Sequence, residues 1–180
     1  MFKMNVGIIR YPGSNCDFDA KRYFNGTFIW HKEEDISCLD NLDCLVIPGG
    51  FAFGDRIYES ATGKYYISPG EKAVSSNVTE IILEAHRRKI PILGICNGFQ
   101  ILIKLKLLPG NLVENWDWKF HSKLVDCVFQ DGSVHKLPIA NRYGRYLSNE
   151  VPKDQIFLRY EDYVSDVAGV RNKEGNVFGM

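Results

Sequence analysis

Cys96 stands at the centre of Gly94-Ile-Cys-Asn-Gly98, with a glycine two residues to either side and apolar runs on both flanks. That spacing suits a strand that turns sharply into a helix, because the glycines permit the tight turn and the central side chain then points away from the sheet as a nucleophile. A thiol at a helix N-terminus also feels the positive end of the macrodipole. This favours thiolate below the free value of about 8.5 and equips Cys96 to attack a carbonyl carbon. The competing reading is a buried cysteine in a glycine-rich turn, since free cysteine is among the most buried residue types.

Attack on a carbonyl needs donors for the developing oxyanion. The usual solution is the N–H that follows the nucleophile, here that of Asn97, plus one from a neighbouring strand loop. Val46-Ile-Pro-Gly-Gly-Phe51 ends an apolar run in paired glycines, and Gly50 is the candidate for the second donor, although Pro-Gly-Gly is also a common turn. Tyr11-Pro-Gly-Ser-Asn15 fits either the same rim or a helix cap. A cysteine nucleophile also needs a base. Of the four histidines, His86 lies in a basic helix end, and His121 and His135 lie in a region of edge strands. His31 alone follows a strand near the expected site, and the residues by themselves yield no convincing base. Asp55, Arg56, Arg142 and Arg145 read as solvated or structural.

The elements that must position these groups alternate in type. Strand signals at 5–9, 27–30, 44–47 and 90–95 are separated by helix-compatible stretches at 15–24, with Ser14 and Asp17 spaced like a capping box, and at 74–85, where Val74, Val78, Ile81, Ile82 and Ala85 recur at helical spacing. Such alternation argues for a mainly parallel sheet covered on both faces, with ligands at the carboxyl ends of the strands, just after Ile9, Ile47 and Ile95. From Val113 onward the texture changes to short strands at 123–129, 134–139, 155–160, 167–170 and 176–178, expected as antiparallel additions. The segment 56–71, rich in Gly, Ser and Tyr, reads as mobile.

Composition narrows the class. At 180 residues, with 45% hydrophobic and 24% charged residues, the chain reads as one globular domain over residues 1–180. Lys plus Arg equals Asp plus Glu, 22 against 22, so no net field draws it to nucleic acid or an anionic membrane. The N-terminus lacks a signal-peptide pattern, and the longest apolar stretch is broken by Asn97, Gln100, Lys104 and Lys106, so a cytoplasmic protein is expected. Five cysteines without a C-x-x-C pair suggest reduced thiols, and no metal-ligand spacing appears.

Longer stretches carry a resemblance. Pro48-Gly-Gly-Phe-Ala-Phe-Gly-Asp55, Leu93-Gly-Ile-Cys-Asn-Gly-Phe-Gln100, Leu107-Leu-Pro-Gly110, and Leu137-Pro-Ile-Ala140 followed by Gly144-Arg-Tyr146 are similar to the glutaminase subunits of phosphoribosylformylglycinamidine synthase. These are class I, triad-type glutamine amidotransferases of purine biosynthesis. Gly13-Ser-Asn-Cys-Asp17, Val167-Ala-Gly-Val170 and Gly175-Asn-Val-Phe-Gly-Met180 extend the match over nearly the whole chain.

The resemblance implies a flavodoxin-like three-layer α/β sandwich in which Cys96 attacks the amide of L-glutamine, releases ammonia and leaves a γ-glutamyl thioester for water. It implies backbone oxyanion donors at Gly50 and Asn97, and a glutamine pocket lined by Gln100 and the Phe51 region. The ammonia would pass to a separate synthetase subunit, with a small bridging subunit, which uses ATP and Mg to make formylglycinamidine ribonucleotide; this chain itself would need no cofactor. Two departures stand out: Asn141-Arg-Tyr-Gly-Arg145 replaces a His-Gly-Glu-Gly-Arg-like segment, and residues 1–180 end before the family's Met-Pro-His-Pro-Glu segment, which carries the triad His and Glu. A non-catalytic scaffold or regulatory member is therefore an alternative. So is a stand-alone cysteine hydrolase, which Pro-Gly-Gly-Phe together with Cys-Asn-Gly-Phe-Gln argues against.

Overall fold

The computed structural model describes residues 4–54, 69–147, 151–161 and 167–180. The segment read as mobile lies outside these residues except for 69–71, and so do Asp55 and Arg56. In chain order the elements are β1 (Val6–Arg10), α1 (Asp17–Phe24), β2 (Thr27–Trp30), β3 (Cys44–Ile47), α2 (Val78–Arg87), β4 (Ile92–Gly94) and α3 (Asn97–Lys104). They are followed by β5 (Asn111–Glu114), β6 (His121–Phe129), β7 (Val134–Asn141), β8 (Tyr143–Leu147), β9 (Ile156–Tyr160), β10 (Val167–Arg171) and β11 (Val177–Gly179).

Nine strands form one sheet in the order β2-β1-β3-β4-β11-β10-β9-β6-β7, while β5 and β8 pair as a separate ribbon. The first five strands run parallel and the remaining pairings are antiparallel. This is a mainly parallel sheet carrying antiparallel additions along one side. Side chains alternate across β1 and β3, so the two faces acquire different cover. Val6, Ile8 and Val46 pack with Ala20 of α1 on one face. Ile9, Leu45, Ile47 and Ile92 pack on the other with α2 and α3. In α2, Val78, Ile81, Ile82 and Ala85 are all fully buried, as their helical spacing requires.

Three local expectations change. The last strand is not an antiparallel addition: the turn Asn172–Gly175 reverses the chain and lays β11 parallel to β4, in a central slot where Val177 is fully buried. Ser14 and Asp17 form no capping box, because Ser14 Oγ accepts from the Tyr11 N–H behind it and Asp17 pairs with Arg10. The β5–β8 ribbon was not anticipated, since it joins segments about thirty residues apart that have no local turn signal between them.

Candidate active site

The carboxyl ends of β1, β3 and β4 converge. Cys96 sits between β4 and α3 with φ 54° and ψ −108°, a strained backbone for a residue with a side chain. Both flanking glycines are required by space: a Cβ on Gly98 would lie 2.0 Å from the Ile47 carbonyl oxygen, and one on Gly94 would lie 2.7 Å from that of Gly98. The turn is tied to its neighbours on both sides. The Ile95 N–H donates to the Ile47 carbonyl at 3.0 Å, and the Cys96 N–H donates to the Met180 carbonyl at 2.8 Å. Strain of this kind persists where the surrounding structure over-determines it.

The loop after β3 is zipped onto the turn after β1. Phe51 N–H donates to Gly13 C=O at 2.7 Å, Phe53 N–H to Pro12 C=O at 2.6 Å, and Cys16 N–H to Gly49 C=O at 3.2 Å. Gly50 takes φ 138°, and a Cβ there would run into the backbone of Gly13, Ser14 and Asn15. This arrangement presents the Gly50 N–H to the Cys96 sulfur, where it is joined by the Asn97 N–H. Cys96 is solvent-exposed yet largely surrounded by protein. Burial pushes its thiol up from the ordinary value, the Asn97 N–H opposes this, the nearby Cys16 adds to it, and the Gly50 N–H opposes it. The net direction is therefore upward, opposite to the lowering that the helix N-terminus suggested, with burial the largest cause.

A cavity opens beside Cys96, lined among others by Phe99, Gln100, Asn141, Tyr143, Gly144 and Met180. Gln100 faces it while holding internal partners, Asn97 through Oε1 and the Tyr143 carbonyl through Nε2. Phe51 is half-exposed on the loop and is not among the lining residues. The divergent segment thus forms a wall of the cavity. Its arginines have structural partners: Arg142 pairs with Glu114, and Arg145 bonds the Glu114 carbonyl and stacks 3.8 Å over Trp116.

Among the described residues, no His, Asp or Glu lines this cavity. The His31 ring packs on Phe53 of the loop, at 5.1 Å between centroids, and its pKa is lowered by burial and Lys32. His121 pairs with Asp117 and sits opposite Asn141 of the cavity wall without lining the cavity, and His135 packs on Phe129. No helix among the described residues is long and apolar enough to cross a membrane. Sequence reasoning missed two contributors, the Asn97 side chain and the Met180 carbonyl. Neither role has a signal in the local pattern.

Comparison with known proteins bears directly on this arrangement. The model of the CobB/CobQ-like glutamine amidotransferase domain family matches residues 3–168. The phosphoribosylformylglycinamidine synthase subunit PurQ of Synechococcus elongatus is 37% identical over 204 residues, covering 98% of this chain and 86% of that protein. Its counterpart in Zymomonas mobilis is 35% identical over 205 residues, covering 98% and 87%. A chain in the solved structure of PurLQS from Thermotoga maritima superposes with a TM-score of 0.85 at 32% identity, covering 99% of this chain and 86% of that one.

Proposed function

The chain belongs to the CobB/CobQ-like glutamine amidotransferase family, and from that premise we propose that it works as the glutaminase subunit of a phosphoribosylformylglycinamidine synthase, with Cys96 as nucleophile. The observation that carries the assignment of the nucleophile is the strained Cys96 backbone, which points the thiol at a cavity with two backbone N–H groups directed at its sulfur.

The chemistry follows from these positions. The Cys96 sulfur adds to the side-chain carboxamide carbon of L-glutamine, and the N–H groups of Gly50 and Asn97 hold the oxyanion. The C–N bond breaks, ammonia leaves with a proton, and water then hydrolyses the thioester to glutamate and free thiol. Gln100 and the loop around Phe51 border the bound glutamine. Protonating the leaving ammonia and activating water are tasks for a positioned acid/base. Met180 lies against the elbow, its carbonyl accepting from the Cys96 backbone N–H. The ammonia passes to a synthetase subunit that consumes ATP with Mg, and a small bridging subunit completes the assembly; the Thermotoga relative belongs to a structure of PurLQS. Reduced, unpaired cysteines suit a cytoplasmic site of action.

The test is ammonia release from glutamine by the subunit with its synthetase, together with labelling by a diazo-ketone glutamine mimic. The label is expected on Cys96, and Cys96→Ala is expected to lower ammonia release by about 10⁴-fold or more. A label on Cys16 or Cys38, or activity surviving in Cys96→Ala, would overturn the assignment.

A further inference from the structure

Asn97 is 2% exposed, and its side chain is occupied on both sides. Oδ1 accepts the Ala52 N–H at 3.0 Å, and Nδ2 donates to Gln100 Oε1 at 2.8 Å. Gln100 donates onward from Nε2 to the Tyr143 carbonyl at 2.7 Å. The result is a buried line of hydrogen bonds from the loop after β3, through the first turn of α3, to β8.

The loop carrying Gly50 is gripped from two directions. Phe51 and Phe53 tie it to the turn after β1, whereas the Ala52 bond ties it to the helix that begins with the nucleophile. Ala52 is two residues from Gly50, whose peptide is also held through the Gly49 carbonyl, which accepts the Cys16 N–H at 3.2 Å. Donors to an oxyanion act only when held in advance at the position where charge develops. We propose that the Asn97 side chain is a positioning residue for the reaction: it fixes the Gly50 peptide relative to Cys96, so that Asn97 supplies one oxyanion donor from its backbone and aligns the other through its amide. Gln100 orients that amide and links it to the Tyr143 wall. This rests on the reading that Cys96 is acylated by glutamine with Gly50 and Asn97 as donors.

The experiment compares Asn97→Ala and Asn97→Leu with the parent subunit, each with the synthetase partner. Both variants remove the acceptor for Ala52, and leucine fills the volume that alanine leaves empty. Expected is a fall in kcat for ammonia release of about tenfold to a hundredfold, with KM within about threefold of the parent. Alkylation of Cys96 by iodoacetamide, which builds no oxyanion, should stay within about threefold, and deuterium exchange at the Ala52 amide should quicken. Parent-like kcat in either folded variant overturns the proposal. So does a loss of kcat matched by equal losses in KM and alkylation, which a purely structural role would give. Activity surviving in Cys96→Ala would instead remove the reading beneath it; an inactive Cys96→Ala beside a fully active Asn97→Ala removes the positioning role alone.

Discussion

The sheet has two halves that handle their surroundings differently. In the parallel half, β1 and β3 are buried on both faces, and the carboxyl ends of β1, β3 and β4 deliver three loops to one point. In the antiparallel half, β7 alternates between exposed and half-buried residues, and the large apolar side chains Trp116, Trp118, Phe120 and Leu124 stand in solvent. The first half holds Cys96, the proposed nucleophile, and the two backbone N–H groups proposed as its oxyanion donors. The second supplies a wall through Asn141 of β7, continued by Tyr143 and Gly144 of β8 in the separate ribbon. The difference shows where tolerance lies: geometry in the parallel half is enforced by contact with neighbouring backbone, whereas much of the antiparallel half borders only water.

Adding the same methyl group to each half should expose this most strongly. Gly98→Ala would drive a Cβ to 2.0 Å from the Ile47 carbonyl oxygen, a backbone atom of a central strand that cannot step aside. Ammonia release should fall by about a hundredfold or more, and stability by about 1–3 kcal/mol. Gly132→Ala, in the β6–β7 turn, meets nothing within 4 Å, although its φ of +85° makes alanine cost about 1 kcal/mol. Ammonia release should stay at the parent rate there. Steady-state kinetics beside urea unfolding of both variants makes the comparison, and a Gly132→Ala enzyme crippled in kcat would end the distinction between the halves.

The sequence was legible to different depths in the same two places. Strands at 27–30 and 44–47 match the structure to the residue, and the glycines around Cys96 mark the elbow, because steric demand on backbone leaves its trace in residue type. Spacing also singled out Gly50 and Asn97, the pair proposed above as oxyanion donors. What stayed hidden was set by distant partners. Nothing near Asn97 in the chain announces that its amide will meet Ala52, forty-five residues away, and nothing near Asn111 announces pairing with Leu147. The direction of the Cys96 pKa differs from the local expectation for a related reason: the helix terminus can be read locally, but the burial that pushes the thiol up is a property of the assembled fold.

That balance can be measured. Burial favours the neutral thiol of Cys96 in the folded chain, so its pKa lies above that of an unfolded cysteine. The stability this contributes is present below the unfolded pKa and is lost as pH rises through the folded one. Iodoacetamide labelling should climb about tenfold per pH unit, with a midpoint above the ordinary thiol value of about 8.5. Cys127 in the antiparallel half, 1% exposed, should stay unlabelled throughout. A Cys96 midpoint below about 8.5 would show that the helix terminus and the two N–H groups outweigh desolvation.

The smallest effect concerns strain, which both halves contain. Cys96 at φ 54° and Trp118 at φ 60° each hold a side chain in the left-handed region. At Cys96 the strain aims the sulfur at the cavity. Trp118 is 66% exposed, and its turn is held instead by Asn115, whose side chain bonds the Lys119 and Asn141 carbonyls. Left-handed backbone costs about 1–2 kcal/mol for a residue with a Cβ, and glycine gives back about 0.5–1 kcal/mol in added chain entropy. Trp118→Gly should therefore raise stability by up to about 1 kcal/mol in urea unfolding and leave diazo-ketone labelling of Cys96 unchanged. Cys96→Gly should give a similar gain while abolishing the label, because there the strained residue is also the reacting one. If Trp118→Gly instead destabilised the subunit, the indole would be packing against the fold, and the antiparallel half would depend on its exposed aromatics for more than a passive wall.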